Sequence, residues 1–307
     1  MLRMIFQRLI IAVPTLFVII TLAFAMIKVA PGGPFDGERA LSKAVQDNLN
    51  RQYKLDRPLL EQYAHYVGGV VRGDFGPSFQ YRDQSVTGLI RQGLPASILV
   101  GGIALLCALG AGLGLGVWAA QRAGRLADRL VMAAAATGLA LPSFVIAPLL
   151  ALVFGVALRW VPVAGWGAPG NLILPVIALA IPYAASIARL TRAGVVEVSS
   201  APFVRTARGK NISQARLLWR HILPRALMPV VSYLGPAAAG ILTGSVVIET
   251  IFQIPGIGRY FVQGALNRDF TLVMGVVIVY AALIIVFNLI VDIALQWLDP
   301  RTRGQST

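Results

Sequence analysis

Cysteine, histidine and charge are all scarce in this sequence. A single cysteine among 307 residues, Cys107, excludes an intrachain disulfide and leaves the redox compartment open. It lies in the apolar run GGIALLCALGAGLGLG, where it reads as a small residue facing lipid or a neighbouring helix. Charged residues make up 13% of the chain against 57% hydrophobic ones, far short of the roughly one quarter that a soluble domain carries. Acidic residues number 13 against 27 Lys and Arg, for a net charge of +14. That excess suits nucleic acid or the cytoplasmic edges of a membrane protein, and its placement decides between them. No phosphate-binding G-x-x-x-x-G-K-[ST] loop occurs: Gly209-Lys210 is followed by Asn211, and Val204 stands where the first glycine belongs. The chain does not hold its own ATP. Nor is there an internal repeat, inverted or parallel, of the kind that builds many secondary transporters.

What is present is oil in long runs. A hydrocarbon core needs about 20 apolar residues per helix, because unpaired backbone groups are too costly there. Six stretches qualify, roughly 9–28, 95–120, 130–158, 172–190, 227–249 and 272–297. The first has features of a cleaved signal, a basic MLRMIFQR start and an Ala23-Phe24-Ala25 pattern, but the apolar run continues through MIKVA, with Lys28 placed to reach the interface. It is expected to be a span. With the N-terminus inside, the cytoplasmic segments hold 15 Lys and Arg, eight of them between Arg189 and Arg225, while the two short outer loops hold three, Arg159, Arg259 and Arg268. Both termini are therefore expected in the cytoplasm. The two histidines, His65 and His221, then lie on opposite sides and form no metal pair.

The expected organisation is a first span over 1–30, an external domain over 31–94, a five-helix core over 95–298 that includes a cytoplasmic loop at 191–225, and a cytoplasmic tail over 299–307. In the external domain, SKAVQDNLNRQY predicts a short amphipathic helix with Ser42 as its cap. A second is predicted with Pro58 at its first position and Leu59, Tyr63, Tyr66, Val67 and Val70 on one face. GDFGPSFQYRDQSV reads as turns, with Asp74 a turn-former. Prolines at 95, 142, 148, 175, 182, 229 and 236 fall in or beside spans, where helices bend. Glycines 110, 112, 114 and 116 include a G-x-x-x-G pair that admits a close neighbour.

Two ionisable residues fall inside spans. Asp292, with Asn288 one turn earlier, either lines a polar path or pairs with a basic residue of another helix. Glu249, in GSVVIETIFQIPGIG, lies near the outer edge and is expected to be wet or paired, with a place on a translocation path as the other reading. No Ser/His/Asp set or Cys/His pair falls at one face, which argues against an intramembrane enzyme.

The basic segment FVRTARGKNISQARLLWRHILPRALMP has no acidic residue. FVRTARGK is long enough for two helical turns, Asn211 tolerates the left-handed conformation that ends a helix, and Ser213 can cap a second helix, SQARLLWRH. A DNA-binding helix-turn-helix has this outline, but the flanking spans tie the segment to the membrane, which excludes nucleic acid as the partner. A basic loop resting on anionic lipid is the plainer reading.

FVRTARGKN and HILPRALMPV, with GSVVIETIFQIPGIG, GALNRDF and LDPR, resemble the inner-membrane permease subunits of bacterial ABC importers for oligopeptides and dipeptides. The resemblance runs from VPTLF and APGGPF near the start, through GDFGPSF, to the last span. It implies an all-α polytopic fold of the type I importer permease, with six transmembrane helices. It also implies a second, homologous permease subunit, two cytoplasmic ATPases that bind ATP and Mg²⁺, and an external peptide-binding protein. The basic loop then resembles the family's "EAA" loop, which docks on an ATPase. Arg205, Thr206 and Ala207 stand where the general motif has Glu-Ala-Ala, and Asn211 where it usually has Gly. Phe203, Arg208, Lys210 and His221 complete the implied docking surface. Similar permeases import nickel, glutathione or opines, and a membrane subunit that binds an ATPase without carrying solute is the reading from another class.

Overall fold

The computed structural model describes residues 2–29, 56–81 and 83–298. The helix expected in SKAVQDNLNRQY and the tail 299–307, with Arg301 and Arg303, lie outside the described residues. Among those residues there is no β-strand, only one isolated bridge between Pro77 and Ser85. α1 (Leu2–Val29) is the first span, and little of it is buried in the chain. α2 (Leu59–Val71) is the second predicted amphipathic helix. Pro58 precedes it as the cap rather than opening it, and Leu59 is exposed, off the inward face. Tyr63 and Gln62 tie α2 to α1, through a 2.6 Å hydroxyl contact with Thr21 and a 2.6 Å hydrogen bond from Lys28.

α3 (Val86–Gln121) starts nine residues before the apolar run at Pro95, because Ser85 caps it: its Oγ accepts from the Gly88 N–H at 3.1 Å. The third apolar stretch, expected as one span, is broken. α4 (Leu126–Ala140) and the segment Ser143–Ala157 meet at 104°. Pro142, which has no N–H and an extended ψ of 145°, sits at the break. α5 (Ser143–Leu150) then loosens into a π-helix over Ala151–Ala157, just after Pro148 removes a helical hydrogen bond. Counting the bent pair as one, six helices among the described residues are long and apolar enough to cross a membrane.

α6 (Gly170–Ser199) packs along α3 through the predicted glycines. A Cβ at Gly112 would fall 2.6 Å from the Ile187 side chain, and one at Gly116 would fall 2.6 Å from the Ala188 oxygen, whereas Gly110 and Gly114 face open space. α7 (Pro202–Gly209), α8 (Gln214–Leu217), a π-helical turn (Leu218–Ile222) and α9 (Leu223–Ala226) form the basic loop that the sequence expects in the cytoplasm. α10 (Met228–Ile251), α11 (Ile257–Leu266) and α12 (Phe270–Leu298) complete the chain. Three apolar cores stack along the bundle: a central one among α3, α5, α6 and α10, an outer one under α11, and one beneath the cytoplasmic loop.

Candidate functional site

The cytoplasmic loop is a helix, a tight turn and a second helical arm. Pro202 opens α7, where its fixed φ fits and its missing N–H has no bond to lose. Asn211 takes φ +57°, and the Ile212 N–H returns to the Ala207 carbonyl at 3.4 Å. Ser213 holds the predicted cap position, yet its side chain makes no capping bond. Val204, Leu217, Ile222, Leu223 and Ala226 are buried against Val195 of α6, which fixes the loop on the bundle. Gly194 lets α9 approach, since a Cβ there would lie 2.3 Å from the Ala226 oxygen.

On this base, Arg205, Thr206, Arg208, Lys210 and Asn211 are all exposed, and they make the outward surface of α7 and its turn. Phe203 is half-buried, with the Arg225 guanidinium 4.2 Å over its ring. Ala207 is also half-buried and packs against the loop's own core, so it contributes less of the outward face than its place in the motif suggests. His221 is half-buried on the second arm. Trp219, 71% exposed, stands two residues before it. Spacing did not single it out; an indole in a basic cytoplasmic segment was the only signal.

Deeper polar residues serve other purposes. Asp292 meets Arg8 of α1 at 2.7 Å, a charge contact that is not aligned as a hydrogen bond, and Asn288 is exposed beside Gly235. Asp128 receives two hydrogen bonds from Arg192, at 3.0 and 2.8 Å, and one from the Gly124 N–H at 2.9 Å, which clasps the cytoplasmic ends of α4 and α6. That pair was not predicted, although Asp128 is the lone acid of QRAGRLADR. Beside it a cavity of about 590 Å³ opens between α4, α6 and α10, lined by Met132, Leu139, Ser186, Arg189 and Tyr233 among others.

At the two ends of α11 two carboxylates are fully buried. Glu249 is not wet: its Oε2 accepts from the Gly258 N–H at 2.8 Å, at the start of α11. Asp269 precedes α12. Its Oδ1 accepts from the Leu272 N–H at 3.1 Å and from Thr271, while its Oδ2 accepts from Ser78 and from the Gln80 N–H at 3.1 Å. GDFGPSF and GALNRDF, distant in sequence, are thereby locked together. Asp74 forms the predicted turn by accepting from the Gly76 N–H at 2.9 Å.

The described residues form a bundle of up to six spans with a basic helix-turn-helix anchored at one end of it. Residues 112–304 match the family described as "Binding-protein-dependent transport system inner membrane component", and residues 1–99 match its N-terminal companion. The chain belongs to that family of transport permease components. It is 48% identical to the oligopeptide transport system permease protein OppB of Salmonella typhimurium, covering 99% of this chain and all of that one. It is 43% identical to the dipeptide transport system permease protein DppB of Bacillus subtilis, covering 94% of each. Its fold is that of ABC importer permeases: an inward-facing structure of the MetNI methionine ABC transporter superposes with a TM-score of 0.59 at 16% identity, over 69% of this chain and 96% of that one.

Proposed function

We propose that this chain is a transmembrane subunit of an ATP-driven importer that carries oligopeptides or dipeptides from the periplasm to the cytoplasm. It would share the path with a homologous permease subunit, receive solute from an external peptide-binding protein and rest on two cytoplasmic ATPases. ATP and Mg²⁺ belong to those ATPases, and this chain performs no chemistry of its own. Both termini and the basic loop face the cytoplasm, as the 15-to-3 distribution of basic residues supports. The mechanism is alternating access: closure of the ATPases moves the docked loop, and the loop moves the spans it is packed on.

The observation that carries this reading is the loop itself. Arg205, Thr206 and Arg208 stand exposed on a helix whose opposite face is buried on α6 and α9. A basic strip resting on lipid would not need that apolar foundation. Asn288 and the cavity beside Arg189 are the chain's contribution to the polar path in this reading, while Asp292 pairs with Arg8 of α1. Glu249, being enclosed, acts on the path through α11.

The test is uptake of labelled peptide into proteoliposomes holding the complete complex. Uptake is expected to require ATP and to vanish when this chain is omitted. An ATPase-binding subunit that carries no solute predicts unchanged uptake without it. Mass spectrometry of the ligand retained by the cognate binding protein then distinguishes peptides from nickel, glutathione or opines.

A further inference from the structure

One helix joins the coupling loop to the outer face. α10 starts directly after α9 and runs 24 residues, about 36 Å at 1.5 Å per residue, with Glu249 in its last turn. Beyond it the chain folds back at once: the Ile254 N–H donates to the Glu249 carbonyl at 2.8 Å, and three residues later α11 begins. The first free N–H groups of α11 are both taken by side chains. Ser97 of α3 accepts from Ile257 at 2.9 Å and Glu249 accepts from Gly258 at 2.8 Å. Glu249 has no ion-pair partner among the described residues, so the N-terminus of α11, with its N–H groups and dipole, is what favours a carboxylate there.

The seat has no slack. A Cβ at Gly256 would fall 2.2 Å from Glu249 Oε2, and one at Gly258 would fall 2.8 Å from that atom and 2.5 Å from the Val246 Cα. The two glycines of IPGIG therefore exist to let α11 close on the glutamate. Glu249 Oε1 and the Tyr280 hydroxyl are also buried, each without a hydrogen-bond partner among the described residues, so the carboxylate is held on its α11 side.

We propose that Glu249 is a positioning residue for transport: it makes α11 a rigid extension of α10, so that a displacement of the coupling loop is delivered to the outer face. The proposal rests on the importer reading for its purpose, but not for its geometry. The alternative is that α11 stays with α3 and α12 while α10 moves beneath it.

The test uses the complete complex with Cys107→Ser and spin labels at Val247→Cys and Leu266→Cys, both exposed positions. The distance between the labels is expected to be narrow and the same with and without bound ATP. In Glu249→Ala the distribution should broaden, and peptide uptake should fall about tenfold or more while the ATPases still copurify and hydrolyse ATP. Glu249→Gln keeps an acceptor for Gly258 and should restore both. A parent distance that changes with nucleotide overturns the proposal, as does a Glu249→Ala complex with a narrow distance and full uptake, or a Glu249→Gln complex as loose as the alanine one. Should Glu249→Ala fail to assemble, the parent's two distances decide alone. Failure of the importer reading shows separately, as a parent complex that takes up no peptide while its labels still report the fit of α11.

Discussion

Asp269 shows how much one side chain can hold. It caps α12 and accepts from the buried Ser78 hydroxyl and from the part-buried Gln80 N–H of the loop before α3. Replacing it with alanine would leave buried donors unpaired at about 1–3 kcal/mol apiece, with about 1 kcal/mol more for the lost cap. Asp269→Ala is therefore expected to lower the melting temperature of the detergent-solubilised complex by several degrees and to free the 74–81 loop for proteolysis; an unchanged melting curve would show the clamp to be idle. Asp292 is a weaker case, because its partner Arg8 is 53% exposed. Such pairs contribute about 0–1 kcal/mol, so Asp292→Asn should assemble and transport like the parent. Ala207→Asp acts twice, placing a charge against the loop's own core and beside the docking face. An unpaired charge fully buried costs roughly 3–5 kcal/mol, and at half burial a loss of about a hundredfold in ATPase affinity is expected, measured by copurification. Of these residues the sequence made Asp292 and Ala207 legible through their setting. Glu249 was singled out but not its bond to Gly258, and Asp269 was missed, because the backbone N–H groups and the Ser78 and Thr271 hydroxyls they accept from are brought to them only by the folded turns.

At the scale of the helix, apolar run length placed five spans and located the third stretch without its break, and a left-handed asparagine placed the turn of the basic loop. The break at Pro142 was not legible: a proline in a span usually kinks a helix, and nothing local distinguishes a kink from a 104° reversal of course. The early start of α3 was missed for a different reason, since the cap Ser85 lies in polar sequence that hydropathy passes over. The glycine pattern was half legible. Spacing indicated a close approach but not which pair makes it, and the structure selects Gly112 and Gly116 over Gly110 and Gly114. Gly112→Leu should therefore cost well over the 1–3 kcal/mol of ordinary overpacking, since one neighbour is the Ala184 carbonyl at 2.8 Å, whereas Gly114→Leu should be tolerated. Fluorescence size-exclusion profiles of the two variants measure this. Equal yields would mean that α3 and α6 do not pack as closely in the assembled complex.

The whole molecule has three stacked cores and a charge on one side. The loop's core carries the proposed docking surface, the central core joins the spans, and the third core seats α11 between two carboxylates. Positive charge concentrated at one end sets the orientation, so impermeant thiol reagents should reach cysteines introduced at 165 and 260 from outside and at 125 and 210 only after permeabilisation. The central claim is that the exposed face of α7 passes ATPase motion to the spans. Arg205→Glu combined with Arg208→Glu reverses two exposed charges without disturbing the buried base. The decisive measurement is ATP-driven peptide uptake by that double variant in proteoliposomes, with copurified ATPase quantified in parallel. The predicted result is a fully inserted permease that has lost its ATPases, or retains them without uptake. Uptake at the parent rate, with the ATPases bound, would contradict the coupling role of this loop.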